Sequence, residues 1–468
     1  MRVALFGSVG RTAGNGAAAQ LARSRATRVQ REAPVDVGAG AGQGIGQAVG
    51  AATKYVLTNA RFTGQPRLQE IADGGKSLSK ADPKAVVKPV QTALLDIGYT
   101  LLRYKDDGKF GGETSTAIEQ FRTDSKIADG EGFNAAAIKA LDKRAPAPGK
   151  LEQHYLDYGR LFADNRLDVT IGVGYTEEMS HIRDLAAMRG WMTDHKLKLV
   201  SGAGNPAAPT GNAEGDTDAQ KQSPISVTET WEGKFSVTYP DAAGARITKE
   251  ITVSIRLVPP GTGGKASFAK GLNDSELTIY AGHARRGIGP DFDRDKSPYE
   301  NFVIGVNSAL HKAGRVVAPT AVEQSHYVVG KKNDLEAMTN AGAWDQEKYR
   351  VWFFAACSSI AYVDEIRGGL LPEKMDRHNL DIFGTTQTIP IAGGMAPVFA
   401  QLEGILAADT MEQIVERMQT STLDAFKKML AAHPDVAEDV KARALKEYSG
   451  QMFMREGAGD NQVASPAP

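Results

Sequence analysis

Six consecutive apolar residues, Val351-Trp352-Phe353-Phe354-Ala355-Ala356, run straight into Cys357 and the hydroxyls of Ser358 and Ser359. A run this short, rich in aromatics and bounded by polar residues, reads as a buried central strand rather than a helix. Such a strand must be covered on both faces, so it points to an α/β sheet. The residue that ends it sits where open α/β sheets place ligands and chemistry, outside the carboxyl ends of the strands. Cys357 is the only cysteine of the chain. Free cysteines commonly pack as small hydrophobes, so the strand end alone does not make this one reactive.

A second strand changes the weighing. Leu277 to Ala281 reads as another short core strand, and it runs into Gly282-His283 and a glycine-rich loop, Gly287-Ile288-Gly289-Pro290. Two core strands then end in the two halves of a Cys/His pair. A thiol at neutral pH is only a few per cent thiolate, and a neighbouring imidazole is the usual means of activating it by depressing its pKa. The histidine comes first in the chain, the reverse of the papain-like order.

This arrangement resembles the caspase-like superfamily of cysteine peptidases, which includes caspases, clostripain and gingipains. In that family one core strand ends in His-Gly and carries the general base, and the next ends in a small residue and the nucleophilic cysteine. The resemblance covers roughly residues 165 to 395 and implies a His283–Cys357 dyad. It further implies an oxyanion hole built from the backbone N–H groups of Ala284 and Cys357, with no metal and no organic cofactor. Ala284 departs from the pattern, because the family usually has glycine there. Catalysis tolerates alanine if the backbone keeps a negative φ, which any L-residue can adopt.

The chain has 468 residues and a formal charge of −1. That length suggests about three domains. The balanced charge gives no reason to expect a nucleic acid or an anionic membrane as partner. With one cysteine no internal disulfide can form, so folding needs no oxidising compartment. No apolar run approaches the roughly 20 residues of a membrane span. The start, Met1 to Gly7, imitates a signal peptide, but its apolar part takes in Gly7 and Ser8 and stops at Arg11, too short for the core of one, so the expectation is cytoplasmic synthesis without a classical export signal.

Residues 1–57 are rich in Ala, Gly and Arg and poor in aromatics, which predicts a flexible segment. Its Gly38-to-Gly46 run imitates a nucleotide loop, but no strand precedes it, so it reads as linker. Residues 58–146 form the first ordered unit. Val90, Leu94 and Leu95 share a helical face, Asp107-Gly108 marks a turn, and Thr114 to Phe121 resumes helical spacing, giving three short helices. With Gly98-Tyr99, Phe110-Gly111 and Asp129-Gly130, the series resembles the small three-helix peptidoglycan-binding-like domain found beside cell-wall hydrolases. Arg122 departs from it, since the family often has glutamine at that place. The resemblance implies peptidoglycan as a partner, although such modules also serve only for docking. A module of this kind behind an Ala/Arg-rich head resembles proteins that accompany injection systems, which would supply a non-classical export route.

Residues 147–164, opened by Ala147-Pro148-Gly149, read as a linker. An α/β domain is expected over 165–395, with strands at Leu167–Gly174 and Asn379–Thr386 and a helix at Glu177–Arg189. A hairpin is expected around Asp241 to Gly244, a helix from Leu335 to Ala341, and a disordered insertion over 202–224. Strands alternating with helices predict a mostly parallel sheet. Residues 396–450 read as C-terminal helices, four segments with breaks near Asp409, Thr420 and Pro434. A flexible tail, 451–468, closes the chain.

Other residues carry weaker signals. Asp291-Phe292-Asp293-Arg294-Asp295 opens like a calcium loop, but Lys296 and Phe302 stand where that loop needs glycine and glutamate. His311 and His326 share no metal-ligand spacing with other candidates. His378 competes with His283 as the base, and Asp364 and Glu365 read as a solvated helix face. The function expected is a cysteine peptidase acting on peptides or proteins and joined to a wall-binding module. Two alternatives stand beside it: a wall-active amidase or endopeptidase using the same dyad, and an inactive structural or cargo protein with a peptidase-like fold.

Overall fold

The structure, a computed structural model, describes residues 54–99, 101, 106–148, 154–176, 180–202, 227–241, 244–261, 263–284, 289–292, 302, 304, 310–312, 315–317, 334–335, 338, 345, 347–357, 359–363, 366, 379–390, 394–448, 450 and 452–457. Met1–Val56 and Leu57–Pro468 separate as two units, and every helix and strand named here belongs to the second. The glycine run at 38–46, nearly all of the 202–224 insertion, His326, Asp364, Glu365 and His378 lie outside the described residues.

Residues 57–146 hold four helices where the periodicity predicts three: α1 (Pro66–Ala72), α2 (Lys84–Asp96), α3 (Gly112–Asp124) and α4 (Ala135–Arg144). The extra one, α1, is too short to show a period. Pro66 opens it, where a fixed φ and a missing N–H cost nothing. Phe62, Ile71, Val90, Leu94, Ile118, Phe121 and Leu141 are all buried. The Asp142 carboxylate accepts the N–H groups of Thr58 (3.0 Å) and Asn59 (2.8 Å), tying the start of the unit to α4. Arg122 has a clear structural task. Its guanidinium donates to the carbonyls of Gly130 (2.6 Å), Asp129 (3.0 Å) and Gly132 (3.1 Å), closing the turn before α4.

The described part of the segment expected as a linker, from His154 onward, contributes side chains to the core. Leu156, Tyr158, Leu161 and Phe162 are buried around the single turn α5 (Tyr158–Leu161), and the Tyr158 hydroxyl donates to Asp409 O at 2.6 Å. The Pro/Gly signal of Ala147-Pro148-Gly149 covers only the first residues of that range, and the aromatic cluster behind it obeys burial rather than local composition.

The chain then builds β1 (Arg166–Val173), α6 (Ser180–Asp194), β2 (Lys198–Ser201), β3 (Glu229–Pro240), β4 (Arg246–Val258), α7 (Gly264–Asp274) and β5 (Leu277–Ala281). After the small pair β6 (Leu310–Lys312) and β7 (Arg315–Val317) come β8 (Arg350–Ala355), β9 (Leu380–Thr385), α8 (Ala396–Leu406), α9 (Met411–Ala431), α10 (Glu438–Glu447) and β10 (Phe453–Glu456). Of the helix expected from Leu335, only Leu335 and Met338 among its residues are described.

Eight strands form one mixed sheet in the order β10-β9-β8-β5-β1-β4-β3-β2. Its centre, β9 through β4, is parallel; β10, β3 and β2 each pair antiparallel with a neighbour. The α/β fold with a mostly parallel sheet is therefore present. Residues alternate between two cores, as strand geometry requires. Leu277, Ile279, Val351 and Phe353 join Leu185 of α6, Val398 of α8 and Ile414 of α9 on one face. Tyr280, Trp352 and Phe354 join Phe268 and Leu272 of α7 and Tyr362 on the other.

Two expectations near the C-terminus change. The helix α9 runs unbroken through Thr420, so three helices, not four, lie between 396 and 447. Met418, Thr422, Phe426 and Leu430 continue its buried stripe, and that packing outweighs the weak propensity of Thr420-Ser421-Thr422. The expected flexible tail contains β10, whose Phe453 and Met454 are buried. Four residues are too few for a period-two pattern to be legible.

Candidate active site

Three parallel strands carry the candidate pair to one edge. The β5–β8 register pairs Ala281 with Ala355, so His283 and Cys357 each lie two residues past the last matched pair, at the carboxyl ends of adjacent strands. The ladder continues one step further, with Gly282 N–H donating to Ala355 O at 3.2 Å. Parallel neighbours lie about 4.8 Å apart, so both backbones reach this edge side by side. The β8–β9 register pairs Phe353 with Phe383, so β9 runs along the other side of β8. His311 lies in the separate β6–β7 pair, away from the large sheet's ladder.

The turn that presents Cys357 is locked by hydroxyls on β9 and on the turn itself. Ser359 Oγ donates to Phe354 O (2.7 Å), and the Ser359 N–H reaches Ala356 O (3.2 Å) and Thr385 Oγ1 (3.1 Å). The Thr385 N–H donates back to Ser359 Oγ at 2.8 Å, and its hydroxyl bonds Ala356 O. Both residues are buried. Side chains that satisfy turn carbonyls in this way hold a conformation the backbone alone would not keep.

The His283 segment is braced by two tyrosines. Tyr280 Oη donates to His283 O at 2.9 Å while accepting the N–H of Asp291 at 2.9 Å. Tyr362, in the single helical turn after Cys357, donates to Ala284 O at 3.1 Å. Room for the Tyr280 hydroxyl depends on two glycines: a Cβ on Gly174 would lie 2.1 Å from it and one on Gly282 2.6 Å. Ala284 is 5% exposed and keeps a negative φ, so the departure from glycine introduces no backbone strain. The opening of the calcium-like motif serves a different purpose. Asp291 is buried, and its backbone N–H is the donor into the tyrosine brace.

Beyond the carboxyl end of β1 lies another histidine, outside the contacts of Cys357 and His283 described above. His181, at the start of α6, is buried against Thr176, whose N–H (3.3 Å) and hydroxyl (3.2 Å) both meet its Nδ1. Burial drives its pKa down to about 4, so it is neutral at physiological pH. Sequence reasoning missed His181 because its helix begins beyond a glycine-ended strand with no Gly-His signature.

Cys357 is half-buried. Burial pushes its thiol above the ordinary value, and hydrogen bonds from the backbone at Ile389 and at Cys357 itself only partly oppose this. The resting group is thus the thiol, whereas a histidine-paired cysteine is expected from sequence to be depressed. Burial likewise pushes the Tyr362 phenol well above its usual value, with Tyr280 and Cys357 close enough to add to the shift. It therefore remains a proton donor. Desolvation penalises the Cys357 thiolate, so its reactivity rises only as pH passes the raised pKa. Iodoacetamide should alkylate Cys357 more slowly at pH 7 than it does free cysteine, with the rate still climbing above pH 9. A rate at pH 6 above that of free cysteine would contradict this.

No family model, no curated protein and no solved structure matches the chain.

Proposed function

We propose that this protein is a cysteine peptidase of the caspase-like kind, with Cys357 as nucleophile and His283 as general base and acid, joined to a wall-binding helical module. One observation supports the reading: His283 and Cys357 each lie two residues past the last matched pair, Ala281 and Ala355, of two adjacent parallel strands. A decayed or purely structural sheet has no need to keep both residue types there. The raised thiol pKa shapes the chemistry. With the thiol protonated at rest, proton removal accompanies attack.

The sulfur of Cys357 forms a bond to the peptide carbonyl carbon as the thiol proton passes to the imidazole of His283. The carbonyl π pair moves onto oxygen, which the N–H groups of Ala284 and Cys357 stabilise. Collapse of that intermediate expels the amine, which takes the proton from the imidazolium and leaves a thioester. Water, deprotonated by His283, then attacks the thioester, and the acid and free thiol are restored.

The experiment is cleavage of a mixed peptide library followed by mass spectrometry. New termini at defined residues, blocked by a peptidyl acyloxymethyl ketone that labels Cys357, support the reading. A folded protein that cleaves nothing and takes no label is the structural or cargo alternative. Cleavage confined to stem peptides would favour the wall-active amidase or endopeptidase.

For residues 57–146, support for a wall-binding module comes from the resemblance of their motifs, carried on a compact helical unit with its own buried residues. The full-length protein should pellet with purified sacculi and be released by soluble muropeptides. Retention in the supernatant across salt and pH would make the unit a docking or spacer element.

A further inference from the structure

The tyrosine brace has a geometric meaning beyond holding a loop. The chain contains no cis peptide among its described residues, and in a trans peptide the C=O and the following N–H point in opposite directions. The carbonyl of His283 and the N–H of Ala284 belong to one such plane. Whatever fixes the direction of the first therefore fixes the direction of the second. Tyr280 Oη donates into His283 O at 2.9 Å, and it is itself held by the Asp291 N–H at 2.9 Å and by packing between Gly174 and Gly282. Tyr362 grips the next carbonyl, Ala284 O, at 3.1 Å. Two consecutive carbonyls are thus anchored from two different elements, one on the base's strand and one on the nucleophile's turn.

We propose that Tyr280 is a positioning residue for oxyanion stabilisation: by bonding His283 O it aims the Ala284 N–H at the carbonyl oxygen of the peptide that Cys357 attacks. The proposal rests on the peptidase reading above. It predicts that Tyr280 acts in the transition state and hardly at all in substrate binding, because an oxyanion donor contributes mainly where negative charge develops.

The test is Tyr280→Phe in the full-length chain, read three ways. The value of kcat should fall about tenfold or more, part of the 10²–10³ that one oxyanion donor contributes, with KM within about twofold. Affinity for a peptide aldehyde, whose thiohemiacetal oxygen occupies the oxyanion position, should fall by a similar factor. Alkylation of Cys357 by iodoacetamide at pH 8.5, which develops no oxyanion, should keep its rate. Installing 4-aminophenylalanine at position 280 returns an N–H donor and should recover most of the loss. If Tyr280→Phe does not fold, 4-fluorophenylalanine replaces it, filling the hydroxyl's volume with no proton to give.

A folded variant with parental kcat and aldehyde affinity overturns the proposal. So does a variant in which alkylation and aldehyde binding fall together, since that marks a collapsed site. If the parental protein neither cleaves peptides nor binds the aldehyde, the peptidase reading itself fails and the proposal falls with it.

Discussion

Cys357→Ala is expected to leave no measurable peptide cleavage, a loss of at least about 10⁴-fold, with circular dichroism and Tm close to parental. The size follows from the chemistry: without the sulfur there is no covalent intermediate, and only substrate binding and oxyanion stabilisation remain. The unchanged fold follows from the site. Cys357 is half-buried, and the conformation of its turn is held by Ser359 and Thr385 rather than by the thiol. Removing one sulfur from a partly exposed position costs about 1 kcal/mol or less, far below the cost of truncating a large core side chain. Residual cleavage within tenfold of the parental rate would remove Cys357 from the mechanism and return it to the role of a packing residue.

Ala284→Pro is expected to lower kcat by about 10²–10³, the usual effect of deleting one oxyanion donor. Ala284→Gly should remain active, because the N–H stays and the native φ is already negative. The contrast matters more than either result, since both substitutions alter backbone freedom but only proline removes the donor. Tyr362 Oη bonds Ala284 O, so proline could also disturb that contact, and the folded state must be confirmed by circular dichroism before rates are compared. A folded proline variant that cleaves at the parental rate takes Ala284 out of the oxyanion hole.

The parts of the fold legible in the sequence were those with strong local pattern. The strands at Leu277–Ala281 and Arg350–Ala355 match their expected bounds within a residue, because a buried parallel strand is continuous in its apolar character and sharply bounded. The long hairpin of β3 and β4 shows clean alternation around a turn. The rest is set by tertiary contact. Tyr158 and Phe162 stack at 5.6 Å within a segment whose opening reads as linker, and β10 is held by pairing with β9 and by burying Phe453 and Met454. The site divides the same way. His283 and Cys357 were visible as chemical residue types at strand ends. Tyr280, Tyr362, Thr385 and Ile389 were not: Tyr280 turns back onto the His283 carbonyl beyond its own strand, Tyr362 and Thr385 bond carbonyls that only the fold brings near, and Ile389 meets the thiol through its backbone.

The last strand gives the molecule a timetable. Thr386 N–H bonds Met452 O at 2.8 Å, and Phe453 pairs with Thr385, so the edge that steadies the cysteine's turn is completed by residues made almost a hundred codons after it. A nascent chain that has emerged only as far as α9 would have Cys357 and His283 but lack the strand that backs β9 beside them. The support beside Cys357 therefore cannot form until the segment around Met452–Phe453 has joined the sheet.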